Sequence, residues 1–201
     1  MMTPSDVVLH ALRCVGGAGP VRVAAASGLA PDAAESELID LAVAGLVTHD
    51  AGEFGGWSLT AAGRAADAER TAAELAAAGA RAMATTAHDR FLVLNPELLD
   101  VCTAWQVRRV DGVVVANRHD DPAHDARVLD RLADVAGRAD ALLADLAAAL
   151  PRFDRYRVRL DEALAKARSG RTEYVTDDFE AFHTVWFQLH EDLLATLGIP
   201  R

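Results

Sequence analysis

Residues 7–63 have the sequence VVLHALRCVGGAGPVRVAAASGLAPDAAESELIDLAVAGLVTHDAGEFGGWSLTAAG. Apolar residues recur every three or four positions before the glycine-rich break at 16–19 and again after Pro31, where Leu38 and Leu41 share one face. This spacing predicts amphipathic helices that each bury one side. Pro31 suits the first position of a helix, because the N–H that proline lacks has no intrahelical partner there. The stretch therefore predicts three helices, the third of which begins at Pro31.

A β-hairpin is predicted after the third helix. Gly45 ends that helix, and the runs 46–48 and 57–59 flank a glycine-rich turn. Short runs of β-branched and aromatic residues on the two sides of such a turn are typical of paired antiparallel strands. The predicted order is a helix, a helix-turn-helix and a hairpin.

This order, together with AGLV at 44–47 and WSLTAAGR at 57–64, resembles the winged helix-turn-helix of MarR-type transcriptional regulators. The resemblance covers about the first third of the chain. It implies that the third helix lies in the major groove of DNA and that the hairpin wing touches the phosphate backbone. On this basis we expect Arg22, Ser36 and Arg64 to contact DNA, and we expect a homodimer.

The charge of this module opposes DNA binding. The third helix carries PDAAESELID at 31–40, which holds four carboxylates and no Lys or Arg, and the whole chain has a formal charge of −10. DNA affinity depends mainly on Lys and Arg that neutralise phosphates, so a DNA-binding surface is usually basic. The sequence therefore leaves open a winged helix that is retained for folding or for protein contacts.

The remainder of the chain is predicted to be mainly helical, with a turn and a short strand at 110–116. We expect a winged helix-turn-helix domain at 1–66, a connecting helix at 67–90 and a helical effector-binding or dimerisation domain at 91–201. The stretch 60–86 is rich in alanine and has few large apolar residues, which favours a connector. The fold class is therefore mainly α, an N-terminal winged helix-turn-helix followed by an antiparallel helical bundle.

Proline and capping residues predict where the later helices begin. Asn95 followed by Pro96 is a typical helix start, and Pro122 begins a long periodic run that continues to Leu150. Thr176 or Asp177 would cap the last helix, which runs to Leu197. Short connections between such helices are typical of an antiparallel bundle.

Candidate ligand-binding residues come from the aromatic part of the chain. Nine of the 11 aromatic residues follow position 90, and some of them stand beside polar groups that could converge on a ligand. The alternative is that these aromatics form a core. The candidates are Trp105, Gln106, Arg109, Phe182, His183, Trp186, His190 and Glu191.

Four histidines of the same part are candidate metal ligands: His119, His124, His183 and His190. Together with Glu180 or Asp120 they offer imidazole and carboxylate groups to a divalent metal. The sequence contains no HExxH motif. The alternative for 119–125 is a solvated loop in which Asp121 caps the helix at Pro122. Apart from this possible divalent metal, no cofactor is predicted.

Several function classes find no support in the sequence. There is no GxSxG, GxGxxG or Walker motif, and Cys14 and Cys102 stand alone in apolar patterns as small buried residues. No leader and no apolar run of about 18 residues is present, so we expect a cytoplasmic protein without a membrane partner.

We therefore expect a ligand-responsive winged-helix transcriptional regulator whose helical part binds a small-molecule effector and changes the spacing of the two winged helices in a dimer. The acidic charge and the weak catalytic patterns leave one alternative open. In it, the winged helix no longer binds DNA and is attached to a helical small-molecule- or metal-binding domain that acts as an enzyme or an enzyme's accessory subunit.

Overall fold

The first helix begins at a capping box. In a computed structural model of the chain, which describes residues 2–52 and 55–200, α1 spans Pro4–Val15. The Thr3 hydroxyl oxygen accepts a hydrogen bond from the backbone N–H of Asp6, and the Asp6 carboxylate accepts one from the N–H of Thr3. These two bonds satisfy N–H groups that a helix start leaves without intrahelical partners.

Two further helices complete the predicted helical set of the first module. Helix α2 spans Pro20–Ser27 and α3 spans Pro31–Val43, each with proline in its first turn. The predicted start at Pro31 is confirmed. Their apolar faces meet α1 in one core, whose buried members are Val8, Leu9, Leu12, Ala18, Val23, Leu38, Leu41 and Val47.

The predicted hairpin is also confirmed. Strands β1 (Val47–Asp50) and β2 (Gly56–Leu59) pair antiparallel. Residues 53 and 54 of the predicted turn lie outside the described residues. Ala18, in the connection between α1 and α2, exchanges two backbone hydrogen bonds of 3.0 and 2.9 Å with Trp57 of β2. This bridge ties the hairpin to the helices and fixes its position in the module.

The alanine-rich stretch forms two helices instead of one. Helix α4 spans Ala61–Ala77, and α5 spans Arg81–Gln106. Between them Gly79 has a φ of 60°, a left-handed conformation that glycine adopts without strain and that commonly ends a helix.

The predicted helix start at Asn95 and Pro96 is wrong, because Pro96 lies inside α5. A proline inside a helix removes one hydrogen bond to the carbonyl four residues earlier, here that of Leu92. Leu92 and Pro96 both lie on the exposed face, where water can solvate that carbonyl. The buried face continues through Phe91, Leu94 and Leu98, and this packing holds the helix together across the proline.

A second hairpin follows α5. Strands β3 (Val107–Val110) and β4 (Val113–Ala116) pair antiparallel around Asp111 and Gly112, whose φ values are 52° and 84°. Two central residues with positive φ and the sequence Asp-Gly are typical of a type I′ hairpin turn. The sequence predicted only a turn and one short strand here.

The last helices follow the predicted order with one shifted start. Helix α6 spans Pro122–Ala149 as predicted, and a 3-10 turn at Pro151–Phe153 leads into α7, Asp154–Arg168. A short helix α8 occupies Glu173–Thr176, and the last helix, α9, spans Phe182–Leu197. Helix α9 begins later than predicted because the Asp178 side chain accepts a hydrogen bond from the N–H of Glu180 and holds a turn there.

The chain is mainly helical with two small antiparallel sheets, and it divides into two units. Unit 1 consists of Met1–Ala84 with Gln188–Arg201, and unit 2 consists of Thr85–Phe187. The C-terminal part of α9 therefore belongs to the unit that contains the first helices. In the described ranges, no helix combines the length and the apolar character that crossing a bilayer requires.

Substitution of Gly63 tests how closely α4 packs against the start of the hairpin in the first module. A Cβ at Gly63 would lie 1.9 Å from the carbonyl oxygen of Leu46, whereas a Cβ at Gly137 in α6 meets nothing within 4 Å. We expect Gly63→Ala to lower the free energy of unfolding by about 1–3 kcal/mol, because backbone must move to admit the methyl group. Gly137→Ala should raise it by about 0.5–1 kcal/mol through helix propensity. Urea denaturation measures both changes, and equal stability of the two variants would contradict the described packing.

Candidate functional site

The exposed face of α3 is acidic and partly apolar. Asp32, Glu35 and Asp40 are exposed, and so are Ile39 and Val43, the latter to 86%. The fourth carboxylate of the helix, that of Glu37, accepts a hydrogen bond from the hydroxyl of Ser5 on α1 and is part of the packing of the module. Three carboxylates therefore remain on the surface that the sequence predicts to face DNA.

The three predicted DNA contacts lie on α2, α3 and α4. Ser36 is exposed on α3, and Arg22 is half-buried on α2. Arg64 is exposed on α4, and its guanidinium donates a hydrogen bond of 3.0 Å to the carbonyl oxygen of Leu59 at the end of the hairpin. Arg22 therefore lies on the helix before α3, and Arg64 lies on the first helix after the hairpin.

Two of the predicted ligand residues belong to the core of unit 2. Phe182 and Trp186 are buried, and the Trp186 ring stacks on Phe91 with centroids 4.6 Å apart. The indole N–H of Trp186 donates a hydrogen bond of 3.0 Å to the side-chain oxygen of Asn95. Phe182 and Trp186 therefore fit the alternative interpretation of the aromatic pattern, which is a packed core.

The other predicted ligand residues are not gathered at one place in unit 2. Trp105 is buried, whereas Gln106 and Arg109 are exposed, and Arg109 donates to the carbonyl oxygen of Gly112 in the second hairpin. His183 is half-buried in unit 2. His190, which is half-buried, and Glu191, which is buried, belong to unit 1.

His119 and His124 stabilise the end of α5. His124 donates from Nε2 to the carbonyl oxygen of Ala104 at 2.9 Å, and the Asn117 amide donates to that of Trp105 at 3.0 Å. The His119 ring lies 4.5 Å from the Trp105 ring and bonds the Asp125 carboxylate at 3.0 Å. Carbonyls at a helix end need such partners. In residues 2–52 and 55–200, the four predicted metal histidines do not join a group of three ligand side chains.

Two surface grooves of unit 2 are lined by residues that the sequence analysis did not select. One, of about 400 Å³, includes Glu97, Asp134 and Arg138, and the other, of about 390 Å³, includes Asp140 and Arg157. In the first groove the Arg138 guanidinium bonds the Glu97 carboxylate, which lowers the pKa of Glu97 and raises that of Arg138. Both grooves therefore contain arginines already engaged by carboxylates.

A buried cluster in unit 1 is the most distinctive polar feature of the described chain. His10 is 0% exposed, and its Nδ1 lies 2.9 Å from the Asp67 carboxylate while its Nε2 lies 3.0 Å from the Asp192 carboxylate. The Cys14 sulfur lies 3.6 Å from the same Nε2. Asp67, Asp192 and Cys14 are themselves buried. We call these four residues the His10 cluster.

Three helices build the His10 cluster. His10 and Cys14 are four residues apart on α1 and so share one face of it, Asp67 lies on α4, and Asp192 lies on α9. The hydroxyl of Thr196, one turn after Asp192, lies 3.1 Å from the Asp192 carboxylate and 2.6 Å from its backbone carbonyl oxygen. The cluster therefore joins both ends of the chain within unit 1.

Burial and the neighbouring side chains shift the pKa of His10 in opposite directions. Burial lowers the pKa of His10, but Cys14 and Asp192 and the hydrogen bonds from His10 to Asp192 and Asp67 raise it, so that the net pKa lies well above its ordinary value. The other cysteine has a different environment. Burial raises the pKa of the Cys102 thiol to about 11, which keeps it protonated and unreactive.

Sequence reasoning missed His10, Asp67 and Asp192 as members of a site. His10 and Cys14 at positions i and i+4 of an otherwise apolar face were a usable signal, but Cys14 was interpreted only as a small buried residue. Asp67 lies in an alanine-rich helix and Asp192 in an apolar one, and neither sequence context indicates a partner. Their common partner, His10, is 57 positions from Asp67 and 182 positions from Asp192.

Comparisons of the chain with protein-family models, with curated proteins and with solved structures find no match. Function is therefore inferred from the residues and their geometry. Two places carry chemistry that a function can use: the exposed face of α3 and the buried His10 cluster.

Asp121 predicts a pH-dependent contribution to the stability of unit 2. Its carboxylate accepts hydrogen bonds from the N–H groups of His124 and Ala123 at the start of α6, which lowers its pKa. The stabilisation is complete above the ordinary Asp pKa of about 3.9 and is lost as the pH falls through the lowered folded value. Asp121→Asn keeps a capping oxygen but cannot titrate.

A pH series of thermal melts tests this expectation. The parent should lose more stability than Asp121→Asn as the solution is acidified, and Asp121→Ala should be less stable than both at neutral pH. A parent and an Asn variant with the same acid dependence would contradict the assignment of the cap.

His10 predicts a large stability effect. His10→Ala removes the imidazole that the carboxylates of Asp67 and Asp192 both contact, and breaking a buried ion pair by removing one partner costs about 3–5 kcal/mol. Urea denaturation followed by circular dichroism measures the change in stability. The control is His183→Ala, a half-buried histidine of unit 2 for which we expect a loss below about 1 kcal/mol. Similar losses in the two variants would contradict the structural role of His10.

Proposed function

We propose that the chain is a winged-helix transcriptional regulator that binds DNA through α3. The observation that carries this proposal is the arrangement of α1, α2, α3 and the β1–β2 hairpin around one core, with the hairpin tied to the helices by the Ala18–Trp57 bridge. A wing held in this way has a fixed position beside α3. That arrangement supports insertion of α3 into the major groove with the wing along the backbone.

The exposed stripe of α3 supplies the proposed base contacts. Ser36 offers a hydroxyl that can hydrogen-bond a base, and Ile39 offers an apolar side chain for a thymine methyl group. Arg22 and Arg64, on α2 and α4, are the proposed phosphate contacts. Because three exposed carboxylates share this face and only two arginines are proposed to contact phosphates, we expect weak affinity with a shallow dependence on salt.

Unit 2 is the proposed effector-binding part of the regulator. Trp105 is 2% exposed, and among the described residues its indole N–H has no hydrogen-bond acceptor. A buried donor without a partner is uncommon and is satisfied when a water or a ligand supplies an acceptor. We therefore propose Trp105, beside the ring of His119, as the contact for a small effector with a hydrogen-bond acceptor, and a homodimer as the form that responds to it.

A second candidate function is a winged helix that contacts protein instead of DNA. Ile39 and Val43 are 51% and 86% exposed, and they lie on α3 together with its exposed carboxylates. A surface that combines aliphatic side chains with carboxylates is poorly suited to phosphates but suited to a protein partner with basic groups at its rim. The two functions predict different changes in DNA affinity when these carboxylates are removed.

Neutralising the acidic face of α3 separates these functions. If α3 enters the groove, Asp32→Asn/Glu35→Gln/Asp40→Asn should bind a random-sequence DNA duplex pool at low salt about tenfold more tightly than the parent, since each repulsion removed is worth up to about 1 kcal/mol in water. Arg64→Ala should weaken binding and reduce the salt slope by about 1. Fluorescence anisotropy of labelled duplexes measures both effects.

The matched control is Asp100→Asn/Asp145→Asn/Asp161→Asn, which removes three exposed carboxylates from unit 2. It should leave affinity nearly unchanged. Equal gains in the control and in the α3 variant would show a general charge effect and would contradict docking through α3. Absence of binding by both the parent and the α3 variant would defeat the DNA-binding function and favour the protein-contact function.

A further inference from the structure

We propose that the His10 cluster is a zinc site in which His10 Nε2, Cys14 Sγ and an Asp192 carboxylate oxygen bind one Zn²⁺. These three ligand atoms lie within 4.8 Å of one another. All three residues belong to unit 1, and the site is independent of whether α3 contacts DNA. None of the three was among the metal ligands that the sequence predicts.

The distances between the ligand atoms suit a tetrahedral ion. Zinc bonds of about 2.0–2.1 Å to nitrogen, about 2.0–2.2 Å to oxygen and about 2.3 Å to sulfur give ligand separations of about 3.3 Å for N to O and about 3.6 Å for N to S. In the cluster, Nε2 lies 3.0 Å from Asp192 Oδ1 and 3.6 Å from Cys14 Sγ. The first separation needs to open by only a few tenths of an ångström, and the second already fits.

Two of the ligands have partners that fix their orientation. The Nδ1–H of His10 donates to the Asp67 carboxylate at 2.9 Å, which leaves Nε2 as the nitrogen directed toward Asp192 and Cys14. The Thr196 hydroxyl lies within hydrogen-bond distance of the Asp192 carboxylate. A carboxylate behind a metal-binding histidine is the usual outer partner of zinc sites, since it fixes the ring and raises the basicity of the bound nitrogen.

The donor set selects the metal. An imidazole, a thiolate and a carboxylate together favour Zn²⁺, whereas Ca²⁺ and Mg²⁺ require oxygen ligands. The ion binds the thiolate of Cys14 and the unprotonated Nε2 of His10. Each proton that these two atoms carried before binding passes to solvent. Three protein ligands of a tetrahedral ion leave a fourth position for water.

The zinc ion would link the two ends of the chain. His10 and Cys14 lie on the first helix, and Asp192 lies in the segment Gln188–Arg201 that unit 1 takes from the end of the chain. Metal binding to the folded state only would stabilise this link by mass action. Removal of the metal should therefore loosen the C-terminal segment more than the hairpin.

Metal analysis of tag-free protein tests the site. The parent and each variant are unfolded with a chelator, refolded with one equivalent of Co²⁺ or Zn²⁺ and desalted, and the bound metal is then measured by mass spectrometry and by absorption. We expect about one equivalent of metal in the parent. With Co²⁺ we expect a thiolate-to-metal charge-transfer band.

The two cysteines provide a matched pair of variants. Cys14→Ala should lose the charge-transfer band and bind metal at least tenfold more weakly, whereas Cys102→Ala, the other buried cysteine, should keep both. Asp67→Asn should weaken binding by about 10–100-fold and keep the band, because Asp67 is not a ligand. Circular dichroism checks the fold, and Cys14→Ser, which also lacks the thiolate, replaces Cys14→Ala if that variant does not refold.

Three results would overturn the zinc site. They are a refolded parent with far less than one equivalent of metal, a Co²⁺ complex without the thiolate band, and a band that survives in the Cys14 variant but not in Cys102→Ala. None of these results bears on DNA binding, which the anisotropy experiment decides separately.

Discussion

The imidazole of His10, held between two buried carboxylates, is the constraint on which unit 1 depends. Charged groups taken out of water are costly unless they are paired with good geometry, and here Asp67 and Asp192 approach the two ring nitrogens at 2.9 and 3.0 Å. Because both carboxylates must stay in contact with His10, α1 is held against α4 and against the end of α9. It explains why a unit made from the first 84 residues also contains Gln188–Arg201. The apolar side of α1 simultaneously carries Leu9 and Leu12 into the core beneath α3.

Much of the fold could be predicted where local signals decide the structure. Pro31 and Pro122 begin helices as expected, and the hairpin beside Trp57 forms where the glycine-rich turn predicts it. Pro96 carries the same local signal but lies inside α5, because buried side chains on both sides of it continue the helical period. The rule for proline is thus a local preference that tertiary packing can override. The later start of α9 has the same kind of cause, a side-chain hydrogen bond from Asp178 that the apolar period does not reveal.

Less of the candidate sites could be predicted, because their members are distant in sequence. The aromatic pattern grouped Phe182 with Trp186 as candidate ligand residues, but period alone does not distinguish a wall of a pocket from a core. Trp186 stacks on Phe91 and on Phe182. His10 finds Asp192 across almost the whole chain, and no spacing rule connects positions so far apart. Only the pair His10 and Cys14 on one turn of α1 was visible beforehand. The exposed face of α3, in contrast, follows directly from the helix period and its acidic residues.

The most direct test of the central role of His10 is a ¹H–¹⁵N NMR correlation spectrum of the imidazole groups, recorded after transfer of the protein into deuterated water. We expect one slowly exchanging Nδ1–H proton, assigned to His10, because the ring is 0% exposed and this proton is donated to Asp67. The signal should persist whether or not a metal occupies Nε2. If every imidazole N–H exchanges at the rate of a solvent-exposed histidine, the buried link between the first and last helices does not exist.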